Sequence, residues 1–234
     1  MTTIKGATVL VTGGLRGLGK AFVEQLLELG AVKVYATART PVESGDPRVV
    51  ALPLEVTDAA SVEALAKLAG DVSIVINNAG VVGQSALLMA DVDEAKATFD
   101  ANVFGVLRVV QAFAPILAAN GGGALVNIHS VLSWAAGSGS YGASKAAVWS
   151  LTNSLRIELA GQGTQVVGVH LGYTDTDMIS ALDVPKNDPS QVARDALAAV
   201  ENGETEVLAD DISRQIKAAL SGPVEHLGAT PIAV

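Results

Sequence analysis

Short apolar runs alternate with longer amphipathic stretches along nearly the whole chain, and that alternation narrows the available folds more than any other feature. Runs rich in Val, Ile and Leu at 7–11, 32–38, 49–54, 72–77, 124–129, 165–170 and 206–208 read as strands. Helical periodicity fills the intervals at 17–30, 58–69, 91–102 continuing with some irregularity to about 119, roughly 141–160, after Pro189, and at 212–220. Gly30 suits a helix end, and Asp58 suits a helix start. Strands that are apolar throughout suit a parallel sheet covered on both faces by helices. Right-handed crossovers then give an α/β fold with a doubly wound parallel sheet. No Pro- or Ser-rich linker divides the sequence, so residues 1–234 are expected to form a single domain, with an irregular tail at 221–234.

Composition sets the boundaries of function. Half of the 234 residues are hydrophobic and only 4% are aromatic, so one core built from small aliphatic side chains is expected. The formal net charge of -9 and the lack of clustered Lys and Arg argue against nucleic acid as a partner. There is no cysteine, which removes disulfides, thiolate nucleophiles and Cys-ligated metals. His129, His170 and His226 lack metal-ligand spacing, so no metal is expected and structural roles are assigned to them. The start of the chain does not read as a signal peptide, and no apolar run is expected to approach the roughly 20 residues of a membrane span. The expected location is cytoplasmic, with no membrane partner.

Four segments carry chemistry. Thr12-Gly13-Gly14-Leu15-Arg16-Gly17-Leu18-Gly19 joins the first strand to the first helix. Glycines there permit positive φ and a close approach of backbone to a pyrophosphate, and a helix N-terminus favours the negative charge. A plain strand-to-helix turn would use the same residues. At the end of the second strand, Ala38-Arg39 stands where an acidic residue would bind the ribose hydroxyls of NAD. Arg39, with Arg16, suits a 2′-phosphate and points to NADP(H); two merely solvated arginines are the alternative. Asn77-Asn78-Ala79-Gly80 lies at the carboxyl end of the fourth strand, where open α/β sheets bind ligands and where a turn would also place Asn and Gly. Tyr141 and Lys145 are one helical turn apart, so a nearby ammonium is expected to lower the phenol pKa and fit it for proton transfer, although such pairs also arise by chance.

Taken together and in this order, TGxxxGxG, NNAG and YxxxK resemble the short-chain dehydrogenase/reductase family over nearly the whole chain. The resemblance implies a Rossmann-type fold and a set of site residues. Ser130 matches the serine that bonds the substrate oxygen, at an unusually short eleven residues before Tyr141; Ser133 is the weaker candidate. Asn102 matches the helix asparagine whose backbone holds a proton-relay water. Lys145 would also grip the nicotinamide ribose, and Asn78, Ala79 and Gly80 would line the adenosine ribose. Glu55-Val56 stands where the family has Asp-Val near the adenine amine. Gly172, Thr174 and Thr176 belong to a segment in which Leu171 replaces the family's proline, and the two threonines would hold the carboxamide and phosphate ends of the cofactor.

The implied activity is NADP(H)-dependent interconversion of a ketone or aldehyde with an alcohol, of carbonyl reductase type, with Tyr141 as acid/base. The alternatives are a non-redox enzyme on the same scaffold (an epimerase or dehydratase) and an NADP-sensing binding protein. A short lid at 177–188 with Leu182, Val184 and Pro185 suggests an apolar small-molecule substrate. Trp134 is read as pocket lining or packing in equal measure. Trp149 is read as an interface residue, since family members pair the Tyr141 helix between subunits in dimers and tetramers.

Overall fold

The structure, a computed structural model, describes residues 2–83 and 87–228. Seven strands form one parallel sheet: β1 (Thr8–Val11), β2 (Lys33–Ala38), β3 (Val49–Pro53), β4 (Ile74–Asn77), β5 (Ala124–Ile128), β6 (Gln165–His170) and β7 (Glu206–Leu208). Their spatial order is β3-β2-β1-β4-β5-β6-β7. The order reverses between β1 and β4, the switch point at whose carboxyl edge open α/β sheets bind ligands. This is the Rossmann-type arrangement that the alternation predicts.

Seven helices connect the strands: α1 (Gly17–Glu28), α2 (Ala59–Leu68), α3 (Val92–Phe99), α4 (Gly105–Ala119), α5 (Gly139–Glu158), α6 (Pro189–Asn202) and α7 (Asp211–Ala219). Two apolar layers enclose the sheet. On one face, Phe22 and Leu26 of α1 and Val192, Leu197 and Val200 of α6 pack against Val9, Val11, Ile74 and Val126. On the other, Val62 and Leu65 of α2, Val109, Phe113 and Leu117 of α4 and Leu155 of α5 pack against Leu10, Val75 and Leu125. Successive strand residues thus bury opposite sides, which is why these strands lack a polar face. Each buried Leu, Val or Phe contributes about 1.5–3 kcal/mol, so the small aliphatic core suffices without many aromatics.

Three expectations are corrected. The helix carrying Tyr141 starts at Gly139, behind Ser138, and ends at Glu158, which puts Tyr141 in its first turn. The irregularity expected in the helical run from Val92 is a π-helical turn at Asp100–Phe104, closed by a bond from Gly105 N to Asp100 O. Contrary to the expectation of no long apolar run, Val92–Ala119 is 28 residues long and apolar enough to cross a membrane by length and composition. Its apolarity has a local cause, because α4 lays Val109, Phe113 and Leu117 on the sheet. The tail is more ordered than expected up to residue 228. Val224–Leu227 form a 3-10 turn, and Leu227 O accepts a bond from Ala136 N at 2.9 Å. Residues 229–234 of that tail lie outside the described residues.

Candidate active site

Because every strand runs the same way, the loops after β1 to β6 emerge on one edge. That edge collects the glycine loop, Arg39, Glu55, Asn78, Ser130 and Gly172.

The glycine loop is built by steric necessity. Gly13 and Gly17 have φ of +65° and +51°, where a side chain would be strained. A Cβ on Gly19 would stand 2.1 Å from Gly13 O and 2.6 Å from Asn78 Nδ2, so α1 packs on the loop only because this position has no side chain. Arg16, at the N-cap of α1, gives no side-chain cap, and the first-turn N–H groups of the helix face the loop uncapped by it. A cradle of this kind fits a pyrophosphate. Thr12 supports it from below: its Oγ1 accepts bonds from Asn78 N and Ala79 N, both at 3.0 Å. The Asn78 amide donates to Thr12 O at 3.0 Å and Gly13 O at 3.2 Å. Asn78 therefore ties the loops after β1 and β4 together, a bracing role that the motif alone did not reveal. Asn77 turns sideways instead, donating to Asn127 Oδ1 at 2.9 Å.

Arg16 and Arg39 are both exposed, and among the described residues neither has a hydrogen-bond or ion-pair partner. The glycine loop and the end of β2 thus present two cations, Arg16 and Arg39, that are uncommitted among the described residues. Glu55 is committed: Oε1 accepts from Thr57 N at 3.1 Å and Thr57 Oγ1 at 2.8 Å. Val56 packs where a Cβ on Gly105 would come within 2.9 Å. Thr174 is buried and its hydroxyl donates to Gly172 O at 3.4 Å. Thr176 reaches the glycine loop, since a Cβ on Gly17 would stand 3.3 Å from its methyl.

The reactive end lies above β5. Ser130 and Tyr141 come together through their hydroxyls, so the shortened loop between them does not separate the pair. Ser130 Oγ also caps the turn Val131–Ser133 by accepting from Leu132 N at 3.1 Å. Ser133 Oγ accepts from Ser130 N at 3.4 Å, which makes Ser133 a support for Ser130. Lys145 is buried and donates to Ile128 O at 2.8 Å, with Nζ 5.8 Å from the centre of the Tyr141 ring.

The electrostatics correct one sequence expectation. Burial pushes the Tyr141 phenol up to about 12, against the opposing bond from Ser130. Burial also draws Lys145 down to about 8. Lys145 is aimed at the Ile128 carbonyl rather than at the phenol oxygen, and burial outweighs any pull of its charge, so the phenol pKa is raised and not lowered as the spacing alone suggests.

Asn102 lies in the π-helical turn, almost wholly buried. Its Oδ1 accepts from Val81 N at 2.8 Å, and its amide donates to Val81 O at 2.9 Å and Ser144 Oγ at 3.0 Å. Ser144 in turn donates to Tyr141 O at 2.7 Å. The Asn102 side chain is thus fully employed in joining this turn to the segment after β4 and to α5. The wider turn breaks the regular i−4 ladder, a common feature of functional helices. Gly80 belongs to the same cluster, since a Cβ there would stand 3.0 Å from Asn102 Oδ1 and 3.9 Å from Lys145 Nζ.

Beneath Ser130 runs a polar chain that sequence reasoning missed. Thr152 Oγ1 donates to Val148 O at 2.8 Å and contacts His129 Nε2 at 2.9 Å; His129 Nδ1 meets His170 Nε2 at 2.9 Å; His170 Nδ1 lies 3.3 Å from Ser130 O. Both histidines are buried and held neutral, His129 well below its ordinary range and His170 down to about 3, desolvation being the first cause in each. Trp134 stacks on His170 at 3.8 Å and meets Trp149 edge-on at 5.8 Å, so it is a packing residue with Trp149 as its neighbour. Among the described residues no cluster could hold a metal ion.

The whole arrangement has close counterparts. Residues 7–187 match the family model described as short chain dehydrogenase. A short-chain dehydrogenase from Burkholderia cenocepacia, solved in complex with NADP, superposes with a TM-score of 0.91 at 36% identity, covering 96% of this chain and 97% of that one. The short-chain dehydrogenase cctT of Talaromyces islandicus is 35% identical over 200 residues, 80% of this chain, which spans only 66% of that protein's length. An uncharacterized oxidoreductase of Staphylococcus aureus strain MW2 is 33% identical over 215 residues, covering 86% of this chain and 93% of that protein. With the motifs, the sheet order and these matches in agreement, the chain belongs to the short-chain dehydrogenase family of oxidoreductases.

Proposed function

We propose that the protein is an NADP(H)-dependent carbonyl reductase acting on a small, largely apolar ketone or aldehyde. The observation that carries this reading is the Ser130–Tyr141 hydroxyl pair with Lys145 buried behind it. A carbonyl oxygen set between the two hydroxyls would accept a bond from each. Tyr141 held near 12 keeps its proton at neutral pH, the form that a reduction consumes.

The cofactor, when bound, supplies the hydride. The residues suited to hold it are Gly13, Gly17, Leu18 and Gly19 at the pyrophosphate, Arg16 and Arg39 at a 2′-phosphate, Glu55, Val56, Ala79 and Gly80 around the adenosine, and Gly172, Thr174 and Thr176 along the far side. The pyrophosphate cradle fits on steric grounds at Gly19, and NADP is the ligand of the Burkholderia structure. Arg39 and Arg16 are free to pair with a phosphate, whereas nothing at the end of β2 would bind a ribose diol.

Ser130 donates a hydrogen bond to the substrate oxygen and polarises the carbonyl. Tyr141 donates its proton to that oxygen as negative charge develops there. The Lys145 ammonium lies close enough to stabilise the tyrosinate that remains. Asn102 keeps α5 registered to the loop after β4 through Ser144, and its backbone is the candidate element for returning the proton. Met178, Val184 and Leu182 give the lid apolar surface, and the exposed Phe104 and Ile157 suit burial between two copies of the chain.

The test is oxidation of NADPH against a panel of apolar ketones, with Tyr141→Phe alongside. General acid catalysis is worth about 10²–10⁴-fold, so the variant should lose at least that low end while still binding NADPH. A variant of near-parent rate would overturn the mechanism.

A further inference from the structure

Asp210 follows β7 and caps α7, and its carboxylate serves more than that helix. Oδ1 accepts from Ser213 N at 2.8 Å. Oδ2 accepts from two other places: the backbone N–H of Gly172 at 2.6 Å and the side-chain amide of Asn187 at 2.6 Å. These are the two feet of the loop that leaves β6 and returns to α6. The feet are also joined directly. Asn187 N donates to Tyr173 O at 2.7 Å, Asp175 N donates to Asn187 O at 3.0 Å, and Thr174 pairs with Asn187 in a parallel bridge. The loop therefore has a closed neck, and a single carboxylate oxygen holds both sides of it. Burial alone would raise the Asp210 pKa, but the bonds from Gly172, Ser213 and Asn187 outweigh it and hold the group ionised. An ionised acceptor bonds about twice as strongly as a neutral one.

What the neck carries is Thr174 and Thr176. Thr174 is buried beside the neck, and Thr176 stands against Gly17 of the glycine loop. A neck that opened would move Thr176 away from Gly17 of the pyrophosphate cradle. Resting on the proposed function, we propose that Asp210, with Asn187 as its partner, is a positioning residue for nucleotide binding: it locks the neck of the 173–187 loop, with Thr174 buried in it, so that Thr176 stays against the glycine loop. Neither residue touches the reacting atoms.

The experiment compares the parent protein with Asp210→Asn and with the exchange pair Asn187→Asp/Asp210→Asn. Asn at 210 has the same size but no charge and only one acceptor oxygen, so an NH2 donor must face either Gly172 and Asn187 or the Ser213 N–H. The pair restores one acceptor across the neck. Two readouts are taken. One is the NADPH dissociation constant, from nicotinamide fluorescence. The other is the rate of tryptic cleavage after Lys186, the only Lys or Arg between Gly172 and Asn187, without nucleotide. Circular dichroism confirms that each variant is folded.

The single variant should bind NADPH about tenfold more weakly, the equivalent of one lost charge-assisted bond. It should also be cut faster at Lys186, and the exchange pair should recover part of both losses. Unchanged affinity and unchanged cleavage would overturn the proposal. Faster cleavage with unchanged affinity would overturn it too, because the loop would then not be what grips the nucleotide. A parent protein that binds neither NADPH nor NADH would overturn the proposed function instead, and the parent titration reveals that before any variant is compared.

Discussion

Lys145 Nζ donates to the carbonyl oxygen of Ile128 at 2.8 Å, which locks the middle of α5 onto the last residue of β5. Through that one bond, the strand that leads to Ser130 and the helix that carries Tyr141 share a fixed register. The buried ammonium is drawn down to about 8 as a consequence of its enclosure, and that gives the active site a measurable pH signature.

Lys145 is charged below pH 8 and neutral above it. In the proposed mechanism its charge stabilises the tyrosinate left after proton donation, so kcat/KM for reduction should fall as pH rises through about 8. Tyr141 itself stays protonated until about 12 and adds no limb in that range. Replacing Lys145 with Arg, whose charge persists to much higher pH, should move the decline out of the accessible range in whatever activity remains. A pH–rate profile of both proteins checks this.

Gly19 is the position where the nucleotide cradle is most intolerant. A methyl group there would overlap Gly13 O at 2.1 Å and crowd the Asn78 amide that braces the loop. Gly19→Ala should cost more than the roughly 1–3 kcal/mol of an ordinary overpacked site, and should abolish NADPH binding in whatever protein folds. Gly45 has open space around its Cβ position and an ordinary φ, so Gly45→Ala should leave both properties intact. Thermal melts and nucleotide titrations of the two variants separate a specific cradle from a general sensitivity to added methyl groups.

The His129–His170 pair should make the fold sensitive to acid. His170 is held down to about 3, against an ordinary value near 6.5, chiefly by burial. Between those values the unfolded chain takes up a proton that the folded chain refuses. Stability must therefore fall as pH drops from about 6.5 toward 3, by up to roughly 1.4 kcal/mol per unit for one such group. Urea unfolding at intervals from pH 7 to pH 4 should show this slope, and His170→Gln should flatten it.

Much of this was legible in the sequence because the signals were local. The seven apolar runs each became a strand, and the glycines after the first run became the cradle. Tyr141 and Lys145 are one turn apart in any helix, so their sharing a face needed no tertiary information. What escaped notice depended on chain segments meeting across the sheet. Asp210 looks like an ordinary helix cap before Asp211-Ile212-Ser213, and nothing local shows that its other oxygen reaches Gly172 and Asn187, 38 and 23 residues away. Asn78 looked like a ligand residue by motif, yet its amide is spent on Thr12 and Gly13. The pKa of Tyr141 was misjudged for a related reason. Spacing placed the lysine correctly, but burial and the Ile128 carbonyl decided where its charge pointed. The apolar stretch at 92–119 was underestimated because its few charged residues, such as Arg108 paired with Asp100, interrupt the pattern without interrupting the helix.

The central claim is that the edge of the sheet was built for NADP(H), and nucleotide titration of the purified protein tests it most directly. Arg39 and Arg16 stand exposed at that edge and, among the described residues, unpaired, and a charge-assisted bond to a phosphate is worth about 1.5–3 kcal/mol, or roughly 10–100-fold in affinity. Titration with NADPH and with NADH, followed by nicotinamide fluorescence, should show NADPH binding at least about tenfold more tightly. Arg39→Asp should remove most of that preference while leaving NADH binding nearly unchanged. Equal affinity for the two nucleotides, or an equal loss of both in the variant, would contradict the account.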